Sequence, residues 1–254
     1  MSKVSENRLL MRIKKNEVNI LRNRGYDIAN AKLYNVNGED YSLTRNPFLK
    51  PSIDMDIFRE IEDTDFRSRQ DLSMVYSKDI RGKTHRVVVI YVEEHVSGKA
   101  IGKQKIGAVT EAIIAGESEH DYHEIILITP YGVSNQVRAD LENLDFKTTF
   151  LVDADLMVDL FSHAAAPVSF KTWESERRIL GYDNPLPADH HIKEFIKEEG
   201  INPKDLVQIR DTDPFIQRLG LEVGDIIMVE LPTPGRNSGD THVEYRVVVT
   251  SLAK

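Results

Sequence analysis

No cysteine occurs among the 254 residues, which excludes disulfides, thiolate zinc sites and cysteine nucleophiles. Long hydrophobic runs are missing as well. The longest, Val87 to Val92 and Ile125 to Ile128, have strand length, far below the roughly 18 residues of a membrane span. The opening MSKVSENRLLMRIKKNE has neither the apolar stretch nor the small-residue cleavage site of a signal peptide. A soluble intracellular protein with no membrane partner is expected. Positive charge is in deficit too: the formal net charge is −8, which argues against a chain whose main task is wrapping nucleic acid. The deficit is even, since residues 1–160 hold 22 Lys+Arg against 26 Asp+Glu and residues 161–254 hold 11 against 15. What is present suffices for a core, at 41% hydrophobic residues, and the length suits two modest domains better than one large one. One stretch departs from the acidic balance. Residues 1–24 carry Lys3, Arg8, Arg12, Lys14, Lys15, Arg22 and Arg24 against Glu6 and Glu17. Such a run is either a solvated helix face or a face turned to DNA or an acidic partner.

Leu9, Leu10, Ile13, Val18, Ile20 and Leu21 recur at three- and four-residue spacing, which predicts a helix over 7–24 that stops at Gly25. A helix near Ile53–Ile61 and a strand near Leu72–Tyr76 follow. His85–Val92, nearly all β-branched and apolar, predicts a strand covered on both faces. Lys105–Ala115 has helical spacing, Glu124–Thr129 reads as a second buried strand, Val133–Leu144 as a helix and Thr148–Val152 as a third strand. This alternation builds an α/β sheet flanked by helices. The small-residue joint SHAAAPV at 162–168 separates domains at 1–160 and 161–254. The second is expected to be a small α+β unit with a mixed sheet. It should contain a helix at 172–180, a turn at 181–187, a helix at 189–199 and a strand at 206–209. A helix opened by Asp213 and Pro214, a stop at Gly220, a turn at Gly224 and strands at 225–231 and 242–249 complete it.

The segment LVQIRDTDPFIQRLGLEVGDIIMVELPTPGRNSGDTHVEYRVVV (206–249) resembles the C-terminal domain of the RNA polymerase subunit called five in eukaryotes and H in archaea. The likeness rests on the order of Gln208-Ile209, Asp211, Asp213-Pro214, Leu219-Gly220-Leu221, Gly224-Asp225, the strand Ile226–Val229, the loop 237–239 and Tyr245-Arg246. RLLMRIKKNEVNILRNRGYDI (8–28) is similar to that family's opening helix, and 85–160 to its jaw domain, a restriction-nuclease-like sheet flanked by helices. Residues 35–80 align with nothing in the family. The stretch 171–201 is lengthened, and Ala166-Pro167-Val168 stands where the family often has a Pro-basic-His element. These departures suggest a divergent copy, of the kind a large DNA virus with its own transcription machinery would carry.

The resemblance implies a non-catalytic subunit of a multisubunit DNA-dependent RNA polymerase, without cofactor or metal. It would work in the nucleus if cellular, and in a cytoplasmic factory or virion if viral. Its C-terminal domain would anchor on the largest subunit, among the other polymerase subunits, through Asp213, Pro214, Gly220, Gly224, Tyr245 and Arg246. The sheet edge near Tyr245-Arg246 would dock there. Alternatively Tyr245 packs inside its own domain, Arg246 pairs with Glu230, and Asp213-Pro214 is a helix cap. The jaw would meet downstream duplex DNA through phosphates and without sequence preference. Thr129, Pro130 and Arg138 would face it, with Lys103 and Lys105 of GKAIGKQK (98–105) beside them unless that segment is an ordinary solvated helix start.

A free-standing DNA-binding or nuclease-like protein with the same domains is the alternative. A nuclease needs paired carboxylates two residues before a lysine to hold a metal. Asp145-Phe146-Lys147 is the one such match, and Glu124 stands at the very start of its strand. Adjacent His190 and His191 point about 100° apart on a helix and cannot share one metal. Asp153-x-Asp155 reads as a helix cap, and GKAIGKQK lacks the Ser or Thr of a phosphate-binding loop.

Overall fold

The structure is a computed structural model that describes residues 3–33, 69–80, 82–93, 122–142, 147–163, 166–175, 189–233 and 240–251. The chain divides into two compact units, Met1–Val158 and Asp159–Lys254. The first begins with α1 (Lys3–Asn23), a helix that buries Ile13, Val18 and Leu21 almost completely. Each such side chain contributes roughly 1.5–3 kcal/mol by leaving water. Gly25, at φ +78°, ends it as expected. Five strands follow: β1 (Asp27–Leu33), β2 (Met74–Ile80), β3 (Lys83–Tyr91), β4 (Tyr122–Thr129) and β5 (Lys147–Val152). They pair in chain order, antiparallel from β1 to β3 and parallel from β3 to β5.

The all-apolar run of β3 has two covers, as its composition predicts. On one face Val88 and Ile90 pack with Ile125 and Leu127 against Val137 and Leu141 of α2 (Asn135–Glu142). On the other, the Tyr91 hydroxyl donates to Glu17 of α1 at 2.9 Å. A short helix α3 (Asp153–Leu156) follows β5 and is tied to α1 by Asn16 Nδ2, which donates to the Leu156 carbonyl at 2.7 Å. The sequence expectation missed β1, whose residues DIANAKL carry little β-branched content.

The second unit is built on a four-stranded sheet in the order β6 (Ser169–Trp173), β8 (Ile226–Pro232), β9 (Thr241–Val249), β7 (Val207–Arg210), with only the β7–β9 pair parallel. On one face α4 (His190–Glu199) places Phe195 against Trp173 and Ile226. On the other, the short α5 (Pro214–Leu219) packs Ile216 and Leu219 on Ile227, Val229 and Val248. Phe161, Phe170 and Phe215 cluster beside α5, with centroids 5.3–6.1 Å apart.

Two expectations change here. Residues 169–173 form an edge strand where a helix was expected from Thr172, because Ser169–Trp173 pair with Glu230–Ile226 across five positions and alternate in exposure. The strand of Tyr245 and Arg246 is an edge only in part: β9 lies between β8 and β7, but β7 pairs with Arg246–Val249 alone, and no strand among the described residues flanks Thr241–Tyr245 on that side. The helices expected at 53–61 and 105–115 and the turn at 181–187 lie outside the described residues. No helix among the described residues is long and apolar enough to cross a membrane.

Candidate functional site

Asp213 starts α5 as its N-cap. Its Oδ1 accepts from the backbone N–H of Phe215 at 2.8 Å and of Ile216 at 3.4 Å, and Pro214 occupies the first turn. Gly220 closes the helix at φ +71°, and Gly224, at φ +93°, turns the chain into β8. The two glycines are thus turn formers. The Asp225 carboxylate beside Gly224 accepts from the N–H groups of Glu222 and Ser175, at 2.8 and 3.1 Å.

Because α5 is only six residues long, it covers part of its sheet face. Beside it lies a half-open groove of about 220 Å³ lined by the half-exposed Leu231 and the edges of the buried Ile227 and Val229, with Asp213 and Arg246 also among its lining and Ala166 and Pro167 on another side. Two of the expected contact residues, far apart in sequence, therefore share one concavity. Tyr245 does not join them, since neighbours on a strand point to opposite faces. Its ring lies 5.8 Å from Phe195, and its hydroxyl donates to Glu199 at 2.7 Å. The pairing of Arg246 with Glu230 is also corrected. Arg246 donates to Glu244, two residues away on the same strand, at 2.6 Å, while Glu230 accepts from Ser169 and Thr241.

In the first unit the turn after β4 brings together Thr129, Pro130 and the start of α2. Thr129 is buried, and its Oγ1 accepts from the Gly132 N–H at 3.0 Å. The hydroxyl is thus used to hold the turn. Gly132 sits at φ +85°, conformationally open to glycine. Pro130 is half-buried and Arg138 exposed, its guanidinium 5.1 Å from the Phe150 ring centroid. The residue most exposed on the turn is Tyr131, at 52%. The sequence reading passed over it, although an aromatic between Pro and Gly in a turn has no core to enter. Lys103 and Lys105 lie outside the described residues.

The remaining polar residues of interest are structural. Burial by itself would raise the Glu124 carboxyl, but Arg24, Lys147 and hydrogen bonds from Arg24 and Thr149 hold it down at about 2. Asp153 forms a two-pronged pair with Arg69, 2.7 Å at each prong, and Asp155 accepts from the Val152 N–H. His191 Nε2 lies 3.2 Å from the Gly224 carbonyl. No group of three or more acidic or imidazole side chains among the described residues is arranged to hold a metal ion, and Asp145 lies outside them.

Comparison with known proteins gives these geometries a context. Residues 186–248 match the family model described as RNA polymerase Rpb5, C-terminal domain. The chain is 23% identical over 231 residues to the subunit 5B of DNA-directed RNA polymerases IV and V of Arabidopsis thaliana, covering 90% of this chain and 84% of the relative. Likeness to the RNA polymerase V subunit 5A of the same plant is 22% over 235 residues, 92% of this chain and 86% of the relative. With the DNA-directed RNA polymerase subunit Rpo5 of Pyrococcus horikoshii it shares 31% identity over 91 residues, 36% of this chain and 89% of that protein.

Proposed function

The chain belongs to the Rpb5 family of subunits of multisubunit DNA-directed RNA polymerases, and from that premise we propose a division of labour between its two domains. Residues 161–254 are the assembly domain, which anchors on the largest polymerase subunit. Residues 1–160 are a jaw beside downstream duplex DNA, met through phosphates without regard to sequence. The chain supplies no catalytic residue, and the reaction proceeds on other subunits. It works where its polymerase works, in the nucleus for a cellular enzyme and in a cytoplasmic factory or virion for a viral one.

The observation that carries the anchoring role is the groove that joins Asp213 to Arg246. An apolar lining with charged groups at its rim suits a partner's large side chain. Anchors of this kind contribute roughly 2 kcal/mol or more each. Pro214, exposed beside the groove, extends the same surface, while Gly220 and Gly224 act through the turns they make. On the jaw, Pro130, Tyr131 and Arg138 form the solvent-facing surface of the β4–α2 turn. The free-standing nuclease alternative draws no support from Glu124, whose carboxylate is engaged internally.

The test is reconstitution of a polymerase core lacking its fifth subunit with labelled chain. Ala166→Trp, which fills the groove from a half-exposed position, should lower incorporation at least ~10-fold, equivalent to about 1.4 kcal/mol. Lys171→Ala, on the opposite face of the sheet, should leave it unchanged. Equal incorporation of wild type and Ala166→Trp would refute the anchoring role.

A further inference from the structure

Strand β9 is covered unevenly. On its β8 side the ladder runs from Ile226↔Val247 to Pro232↔Thr241. On its other side β7 pairs with Arg246–Val249 and goes no further. The reason lies in the chain before Val207. Pro203–Asp205 curl into a single 3₁₀ turn, held by the Asn202 side chain, which accepts from the Lys204 N–H at 3.0 Å. A backbone coiled in this way cannot run on beside β9. Thr241–Tyr245 are left without a strand on that side among the described residues.

The alternation of hydrogen bonds shows which backbone groups face the open side. In an antiparallel pair, successive residues turn their N–H and C=O alternately towards the partner and away from it. The Val248 N–H donates to the Asp225 carbonyl at 2.9 Å, and the Thr233 N–H to the Asp240 carbonyl at 2.8 Å. Both ends of the ladder thus turn the even-numbered residues of β9 to β8, in one constant register. The odd-numbered residues turn the other way: the Val249 carbonyl accepts from the Asp211 N–H at 3.0 Å, just past the end of β7. Thr241 and Val243 follow the same alternation, so their N–H and C=O groups point into the space in line with β7.

Two exposed valines border this slot. Val243 is 51% exposed and shares its sheet face with Tyr245, while Val207, 57% exposed, pairs with Arg246 and shares the face of the groove. Ile209 and Arg246, which both line the groove, belong to the two strands that part here. Thr241–Tyr245 contain neither proline nor lysine, the usual guards of a bare edge. We propose that an extended segment of a neighbouring polymerase subunit adds to this sheet as a strand beside Thr241–Tyr245, bonding to the backbone of Val243. Main-chain bonds of this kind supply affinity, and alternate side chains supply the choice of partner. Every second side chain of the added strand lies on the face of Val207 and Arg246, continuous with the groove. The inference rests on the reading of residues 161–254 as the assembly domain and names the backbone contact it makes.

Hydrogen exchange resolved to single amides, compared between the free chain and the reconstituted polymerase, tests it. On assembly the Val243 N–H should exchange at least ~10-fold more slowly, whereas the Glu244 N–H, turned to β8, should be slow in both. Val243→Pro removes the outward N–H and no bond of the β8 ladder, a placement that edge strands tolerate. Its circular dichroism should match the wild type, and its incorporation into a core lacking the fifth subunit should fall at least ~10-fold. Val243→Thr, which keeps the N–H, should incorporate as the wild type does. A Val243 amide left unprotected in the assembled polymerase would overturn the inference, whether or not the proline variant folds. So would full incorporation of Val243→Pro. With Ala166→Trp still excluded, the groove would then be the whole anchor; with both variants incorporated, the anchoring reading would fall as well. Protection of Val243 in the free chain that grows with protein concentration would also overturn it, since the added strand would then come from a second copy.

Discussion

The ion pairs described in the two units differ in burial, although the second unit also buries Arg218 and Asp225. In the first, ion pairs are interior: Lys14–Glu17 with both side chains at 2% exposure or less, Arg24–Glu124 at 7% and 2%, and Arg69–Asp153 at 9% and 15%. Around the first pair, Lys14 donates to the Leu72 carbonyl at 2.9 Å and to the Tyr76 hydroxyl at 3.0 Å, and Tyr91 donates to Glu17. In the second unit, Lys171–Glu198 and Lys193–Asp189 lie in solvent, and stability rests on aromatic and aliphatic packing, backbone caps and glycine turns. The contrast matters because a buried pair is costly to halve, whereas an exposed one contributes little.

The largest expected effect follows directly. Glu17→Gln leaves a buried ammonium without its counter-ion and should lower stability by about 3–5 kcal/mol in urea unfolding. Adding Lys14→Met should recover most of the loss. Glu198→Gln should leave the midpoint where it was. A Glu17→Gln variant as stable as the wild type would erase the distinction between the units.

Acid is the second probe. Burial, together with the nearby Lys78, His123 and Arg24, lowers His85 to about 3, so the folded state excludes a proton that the unfolded chain takes up below about pH 6.5. Stability from this group is therefore complete above about pH 6.5 and is lost as pH falls from there towards 3, on the order of 5 kcal/mol in all. Glu124, held at about 2, adds its own loss between about pH 4.5 and 2. Urea midpoints followed against pH should slope downwards over this range, and His85→Phe should flatten the part above pH 4.5. The midpoint of the second unit, which carries neither group, should respond less.

Smaller effects belong to the second unit. Gly220→Ala forces a side chain into φ +71° and should cost about 1–2 kcal/mol. Asp213→Ala removes the cap of α5 and should cost about 1 kcal/mol. Thermal denaturation measures both, and a neutral Gly220→Ala would contradict the turn geometry described here.

Legibility in the sequence follows the same division. The second unit is specified locally: Asp213-Pro214, Gly220 and Gly224 each act within a few residues of themselves, so α5, β8 and β9 could be read in order. The strands β3, β4 and β5 were legible because their apolar runs are dense. The interior pairs were not, since Arg24 and Glu124 are 100 residues apart and Arg69 and Asp153 are 84 apart. Arg246 was matched to the wrong partner because only the register reveals that Glu230 is already taken by Ser169 and Thr241. Strand β6 was not read, and its last two residues, Thr172 and Trp173, were taken as a helix start, because SFKTW owes its conformation to pairing with β8, a partner more than fifty residues away. The groove, too, is lined by the short α5 and by strands distant from one another in sequence.

The most direct measurement of the polymerase assignment is purification of the tagged chain from its native source with quantitative mass spectrometry of what accompanies it. The expected result is one copy per largest polymerase subunit, surviving salt that strips nucleic acid and lost in the Ala166→Trp variant. Recovery of the chain chiefly by itself, with no polymerase subunit in stoichiometric amount, would contradict the account.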